Sequence, residues 1–268
     1  MSLKVKDLCN IIEDFAPISL KEDYDNVGLM LGDREDTVEG ILTALDCTIK
    51  VIDEAIEKKC NMIITHHPIL FKKPSSITND TLLGKKIIKL IKNNINVYSA
   101  HTNLDSVKNG INDAIVSILG FDNSSILAKN FRAVKEAGIG RVVELEEGIQ
   151  LKELCHRVKE NLKVQNLRYC GNDDKKIQKI AIINGSGQDF FEEARKKGAD
   201  CIITGDTSYH YVSDYNEMGM AVIDAGHFGT EWPSVIVMTK MLKDSLNSKG
   251  IDTSISVSQN NIDPYKIK

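Results

Sequence analysis

Apolar residues come along this chain in two rhythms. Short unbroken runs, ILTAL at 41–45, MIIT at 62–65 and NVYSA at 96–100, read as buried strands. Residues 49–59 and 81–93 carry apolar positions three and four apart and read as helices. After the polar stretch GFDNSSILAKN the pattern resumes with the strand RVVEL, a helix through LKELCHRVKENL and a strand near NLRYC. Short strands alternating with helices predict an α/β protein with mainly parallel sheets, whose carboxyl-end loops present functional groups.

The rhythm repeats. Sliding the chain on itself by 139 residues lays Glu39–His67 over Gln178–Asp206 without a gap. Ile41/Ile180, Glu54/Glu193, Ala55/Ala194, Lys58/Lys197, Ile63/Ile202, Ile64/Ile203 and Thr65/Thr204 coincide. Any two βαβ units look broadly alike, so the identities alone are thin, but the preserved spacing favours an internal duplication. Two similar α/β halves are therefore expected. Residues 1–125 form the first half, 126–225 the second, and 226–268 a turn, a helix and a C-terminal strand packing back on the first half.

Composition narrows the class. At 268 residues, 42% apolar and 27% charged, the chain is long enough for one large α/β unit or two smaller ones. Its apolar runs are far shorter than the roughly 20 residues a bilayer needs, and its N-terminus lacks a signal peptide's apolar core, which predicts a cytoplasmic protein with no membrane partner. Six cysteines, none in a C-x-x-C pair, indicate reduced core thiols rather than a disulfide scaffold or a zinc knuckle. A net charge of −4, with acids and bases interspersed, offers no dominant field to a phosphate backbone, so nucleic acid is not the expected partner.

The candidate chemistry lies in the histidines. Of six, four (His66, His67, His101 and His227) directly follow predicted strands. Side chains of successive strand residues point about 180° apart, so an adjacent pair converges with difficulty inside a strand, but at a strand end His66 and His67 can serve two different ions. His101 opens HTNLD, which brings Asp105, and His227 opens HFGTE, which brings Glu231. Both pairs are spaced i, i+4, as on one side of a starting helix. Pro233 suits the first turn of the apolar run SVIVMTKML, and 109–118 reads as another helix. Imidazoles with carboxylates and no thiolate are a ligand set for zinc, iron, manganese, cobalt or nickel. Each element has a bland reading: a lone strand-end histidine is usually structural, Asp105 suits a cap, and Glu231 suits a helix's first turn. Together they form a charge-rich group that two divalent ions would satisfy.

EDYDNVGLMLGD, ITHHPILF, SAHTNLD, GIGRVVEL, IAIINGSG, IITGDTSYH and DAGHFGTEWPSV, in that order from Leu8 to the tail, resemble the GTP cyclohydrolase I type 2 family, also called the Nif-three-like dinuclear metal-centre proteins. The resemblance implies two interlinked α/β halves and a toroidal homohexamer. It also implies two metal ions per chain, with His66 and Asp105 on one, His67 and His227 on the other, Glu231 shared, and His101 an accessory ligand or a neighbour of the ligands. Tyr24 stands where many relatives have tryptophan, and the domain that longer relatives insert between the halves is missing.

The activity so implied is hydrolytic opening of the guanine imidazole ring of GTP, releasing formate on the way to dihydroneopterin triphosphate. His101 is then the candidate for proton transfer, and Glu231 the carboxylate on which turnover depends. A noncatalytic metal-binding or metal-delivering protein, or an oligomeric scaffold, is the rival reading, because the donor set serves both. Two stretches stay open. NGSGQD resembles a phosphate-binding turn, but Phe190 replaces the third glycine of a dinucleotide fingerprint, so a tight turn without ligand is favoured. Asp206 and His210 in IITGDTSYH either cap a helix and decorate its surface or line the cleft.

Overall fold

The computed structural model describes residues 2–130 and 136–267 and separates into two compact units, Met1–Leu104 with Val235–Ile262, and Asp105–Ser234 with Asp263–Lys268. The first unit contains α1 (Val5–Phe15), β1 (Gly28–Leu31), β2 (Gly40–Ala44), α2 (Ile49–Glu57), β3 (Met62–Thr65), α3 (Leu82–Lys92) and β4 (Asn96–Ser99). A short α4 (Thr102–Ser106) leads onward to α5 (Ile111–Ile118), β5 (Ser124–Lys129), β6 (Gly138–Gln150), α6 (Leu151–Leu162) and β7 (Arg168–Cys170). Then come β8 (Lys176–Ser186), α7 (Phe191–Lys196), β9 (Cys201–Gly205), α8 (Tyr209–Glu217) and β10 (Ala221–Asp224). Finally α9 (His227–Ser248) carries the chain back to the first unit, where β11 (Ser254–Val257) ends it.

The sheets run β1-β4-β3-β2-β11 and β7-β10-β9-β8-β6-β5. The duplication therefore extends beyond the aligned stretch: α1-β1-β2-α2-β3-α3-β4 and α6-β7-β8-α7-β9-α8-β10 are the same series, in the same strand order. Register is conserved as well, for Ile41 faces Met62 where Ile180 faces Cys201, each pair 139 residues apart. Both β1 and β7 are antiparallel edges, on β4 and β10. Even the turns agree. Lys59 and Gly198 both have positive φ at a helix end, and the bonds Cys60 N–H to Ala55 O and Ala199 N–H to Ala194 O repeat at the same offset.

Alternate residues of the second sheet feed its two faces, as the period of two requires. Ile180, Ile182, Cys201 and Ile203 pack with α5 and α6 residues such as Ile115 and Leu154, whereas Ala181, Ile183 and Ile202 pack with Phe191 and Ala194 of α7. In the first unit Leu42, Ala44, Ile63 and Val97 close on Val51, Ile52 and Leu90 of α2 and α3.

Several expectations meet differences. The first sheet is parallel apart from β1, but the second is mixed, because β6 is antiparallel to both β5 and β8. The stretch read as a break contains β5, whose exposed, alternating residues gave no apolar run. Compactness also divides the chain elsewhere than the sequence did: residues 105–125 and 226–234 belong with the second sheet, because α5 packs on it, whereas 235–262 belong with the first. Pro233 is not in the first turn but seven residues into α9, which already begins at His227; its missing N–H leaves the Gly229 carbonyl without that helical bond.

Candidate metal centre

In the first unit three strands end side by side, and each delivers a group to one place. Leu45 and Asp46 follow β2, His66 and His67 follow β3, and Ala100 and His101 follow β4. One ligand nitrogen from each of His66, His67 and His101 lies within 4.8 Å of the others. Their ring centroids are 5.0–5.7 Å apart. Adjacent histidines thus do converge, because the strand has ended at Thr65 and the backbone turns beneath them.

Each ring is held in the same way. His66, fully buried, places Nδ1 2.8 Å from the Ala100 carbonyl oxygen. A carbonyl only accepts, so this Nδ1 carries the proton and the neutral ring has its lone pair on Nε2. Nδ1 of His67 lies 2.9 Å from Asp46 Oδ1, and Nδ1 of His101 lies 2.8 Å from Asp25 Oδ1. Burial pushes the Asp25 carboxyl up, but His101 and the N–H and hydroxyl of Thr102 outweigh it and hold the group well below the usual carboxylate range. An imidazole whose Nδ1–H is tied to oxygen presents Nε2 in a fixed direction, the standard preparation for a metal ligand.

In the second unit the groups gather around the NGSG turn at the end of β8. Asn184 donates to Asp105 Oδ1 at 2.9 Å and approaches Glu231 Oε1 at 3.5 Å, so one amide bridges two buried carboxylates. His227 Nε2 stands 2.9 Å from Glu231 Oε2, and its Nδ1 is 2.8 Å from Asp206 Oδ2. Gly185 has φ +59°, and a Cβ there would fall 2.2 Å from Glu231 Oε1. A side chain there would have to displace the carboxylate. The NGSGQD turn, favoured in the sequence as a tight turn without ligand over a phosphate loop, lies against Asp105 and Glu231. Gly205 is similarly constrained, since a Cβ would fall 2.6 Å from the backbone of Gly226 and His227.

Asp206 does not cap α8, whose N-cap is Ser208; at φ +51° it bends toward His227 instead. His210 is exposed and packs edge-on to Tyr209, away from these contacts. Sequence reading missed Asp25, Asp46 and Asn184. The available signal was position: Asp46 and Asn184 lie at the carboxyl ends of β2 and β8, where functional loops collect. Asp25, buried within DYDNVG, gave no such signal. Nitrogen and carboxylate donors without thiolate in either unit fit a divalent transition ion or zinc. All six cysteines are free thiols.

Residues 3–264 match the profile of the family Duf34/NIF3 (NGG1p interacting factor 3). A Clostridium acetobutylicum protein named GTP cyclohydrolase 1 type 2 homolog is 81% identical over 268 residues, covering 100% of both chains. A Clostridium perfringens protein of the same name is 56% identical over 264 residues, 98% of this chain and 99% of its own. The crystal structure of a Bacillus cereus protein related to NIF3 matches with a TM-score of 0.94 at 25% identity, covering 100% of both chains.

Proposed function

This chain belongs to the Duf34/NIF3 (NGG1p interacting factor 3) family, and from that premise we propose that it is a metal-dependent hydrolase of the GTP cyclohydrolase type 2 kind. The observation that carries the reading is the common preparation of four strand-end histidines, His66, His67, His101 and His227, each tied through Nδ1 to an oxygen. His66, His67 and His227, with Asp105 and Glu231, are the proposed ligands of two divalent ions per chain, and the working assembly is a homohexamer. Bound divalent ions make water a nucleophile near neutral pH and offset negative charge on a substrate.

The protein's own groups do the rest. Asp25 holds His101 so that its Nε2 takes or gives a proton beside the other two rings, the role assigned to it in catalysis. Asn184 fixes Asp105 and Glu231, and Gly185 leaves Glu231 its place. The substrate is a small molecule, with GTP the first to test, through opening of its imidazole ring and release of formate.

A carrier role has one observation in its favour. The side chains of His67 and His227 are 24% and 31% exposed, and the Asp46 and Asp206 side chains behind them 46% and 51%, which suits loading and release of an ion. Elemental analysis of protein purified without added metal or chelator, followed by a GTP turnover assay with the metal found, separates the readings. About two ions per chain with formate release, both lost in His67→Ala, is the expected result. Ions without turnover favour the carrier, and no retained metal under any reconstitution defeats both.

A further inference from the structure

The second unit carries a groove whose lining includes none of the proposed metal ligands. Between β7, the end of β10 and α8 is a groove of about 340 Å³, lined among others by Arg168, Tyr169, Thr207, Ser208, Tyr209 and Asp224. That volume is within the range of small-molecule sites, roughly 300–1,000 Å³. Two aromatic rings stand open in it, with Tyr169 47% and Tyr209 80% exposed, over an apolar floor that includes Val212 and Val222. The Arg168 guanidinium is anchored through Nη2 to the buried Asp224 carboxylate while the side chain stays 74% exposed, leaving further N–H donors for an anion. Asp224 also accepts from the N–H and hydroxyl of Thr207 and from the Gly226 N–H, so its charge is spread over several donors rather than cancelling one guanidinium.

The duplication sharpens the point. By the strand registers Arg168 stands where the first half has Gly28, and by the 139-residue offset Thr207 and Tyr209 stand where it has Pro68 and Leu70. The second half therefore carries a cation, an aromatic ring and a hydroxyl at positions where its twin has none of these. The contacts described above for the proposed metal ligands and the groups that hold them do not involve Arg168, Tyr169 or Tyr209.

We infer that this groove binds a planar aromatic anion of nucleotide type, its ring against Tyr209 and Tyr169 and its phosphate or carboxylate on Arg168. The inference does not depend on the hydrolase reading, since the groove uses none of the proposed metal ligands. It is tested by calorimetric titration of the full chain, stripped with EDTA, with guanosine 5′-monophosphate, guanosine and ribose 5-phosphate. The monophosphate should bind without metal and more tightly than either fragment. Tyr209→Ala, at a side chain too exposed to matter for folding, should weaken it about tenfold, the scale of one lost base stack. Arg168→Gln should weaken the monophosphate by a similar factor and leave guanosine unchanged. The inference is overturned if the wild-type protein does not bind the monophosphate, if both variants bind it like wild type, or if binding requires metal alone. It is also overturned if Tyr209→Ala changes the oligomeric mass while affinity stays the same, for the groove is then a contact between copies.

Discussion

After Thr65 the chain continues as His66-His67-Pro68, and after its twin Thr204 as Gly205-Asp206-Thr207. Both segments leave equivalent strands in equivalent register, yet one supplies imidazoles and the other supplies support. His67 is held by Asp46, whereas Asp206, its counterpart, is the holder of His227. Asp46 in turn has Gly185 as counterpart, a residue valued for having no side chain in the way of Glu231. Duplication preserved the scaffold because strands and helix ends are set by backbone bonds and apolar burial. At the strand ends the backbone bonds constrain the chain path but not the identity of the side chains, so these were free to divide the labour.

The largest expected effect comes from erasing that division at Gly185. Gly185→Ala combines a positive φ with a collision at Glu231 Oε1, and about 3 kcal/mol of stability should be lost in urea unfolding, together with bound metal. If the variant keeps both, the carboxylate seat is not what distinguishes this turn from its twin.

Next is the helix residue common to both copies. Glu54 is buried and accepts from the Ser258 hydroxyl, from Lys58 and from the N–H groups of Gln259 and Asn260, fastening the segment after β11; its twin Glu193 is only partly buried. Burial pushes the Glu54 carboxyl up, but these donors prevail and lower it from 4.5 to about 2. A carboxyl lowered on folding contributes stability that is complete above pH 4.5 and is lost as pH falls toward 2. Glu54→Gln should cost about 2–3 kcal/mol at pH 7 and should flatten the acid limb of the stability profile, while Glu193→Gln should change little. Equal effects of the two substitutions would erase the contrast.

The paired holders come third. Asp46→Ala and Asp206→Gly, the latter keeping the left-handed backbone, should each weaken metal retention about 10–100-fold by competition with a chelator, with unfolding midpoints not lowered. An effect from only one would mean that only one unit's histidine works as a ligand. Smallest is Lys59→Gly. Its twin Gly198 takes the same left-handed turn without a side chain, so the change should stabilise the protein by about 0.5–1 kcal/mol, read as a higher urea midpoint.

Much of the candidate centre was legible in the sequence because its candidate donors have chemically distinctive side chains at strand ends. His66, His67, His101, Asp105, His227 and Glu231 all stand out, and the structure gathers the first three in one unit and the last two with Asp105 in the other. The residues that hold them stand out far less. Asp25, 76 positions from His101, is an ordinary acid until the chain folds, and Asn184 bridges carboxylates 79 and 47 positions away. For Asp206 the sequence left a cap and a cleft-lining role open, because an aspartate before a helix is often a cap; its positive φ turns it to His227 instead.

By itself, then, the sequence determined the alternation of strands and helices, their duplication and the candidate donors, since periodicity, spacing and side-chain chemistry are local properties of a chain. Tertiary structure alone decided that β6 runs antiparallel beside β8, that β11 returns to β2, and which oxygen fixes each imidazole. Those outcomes depend on which distant backbones approach closely enough to share a hydrogen bond, and no local pattern records that distance.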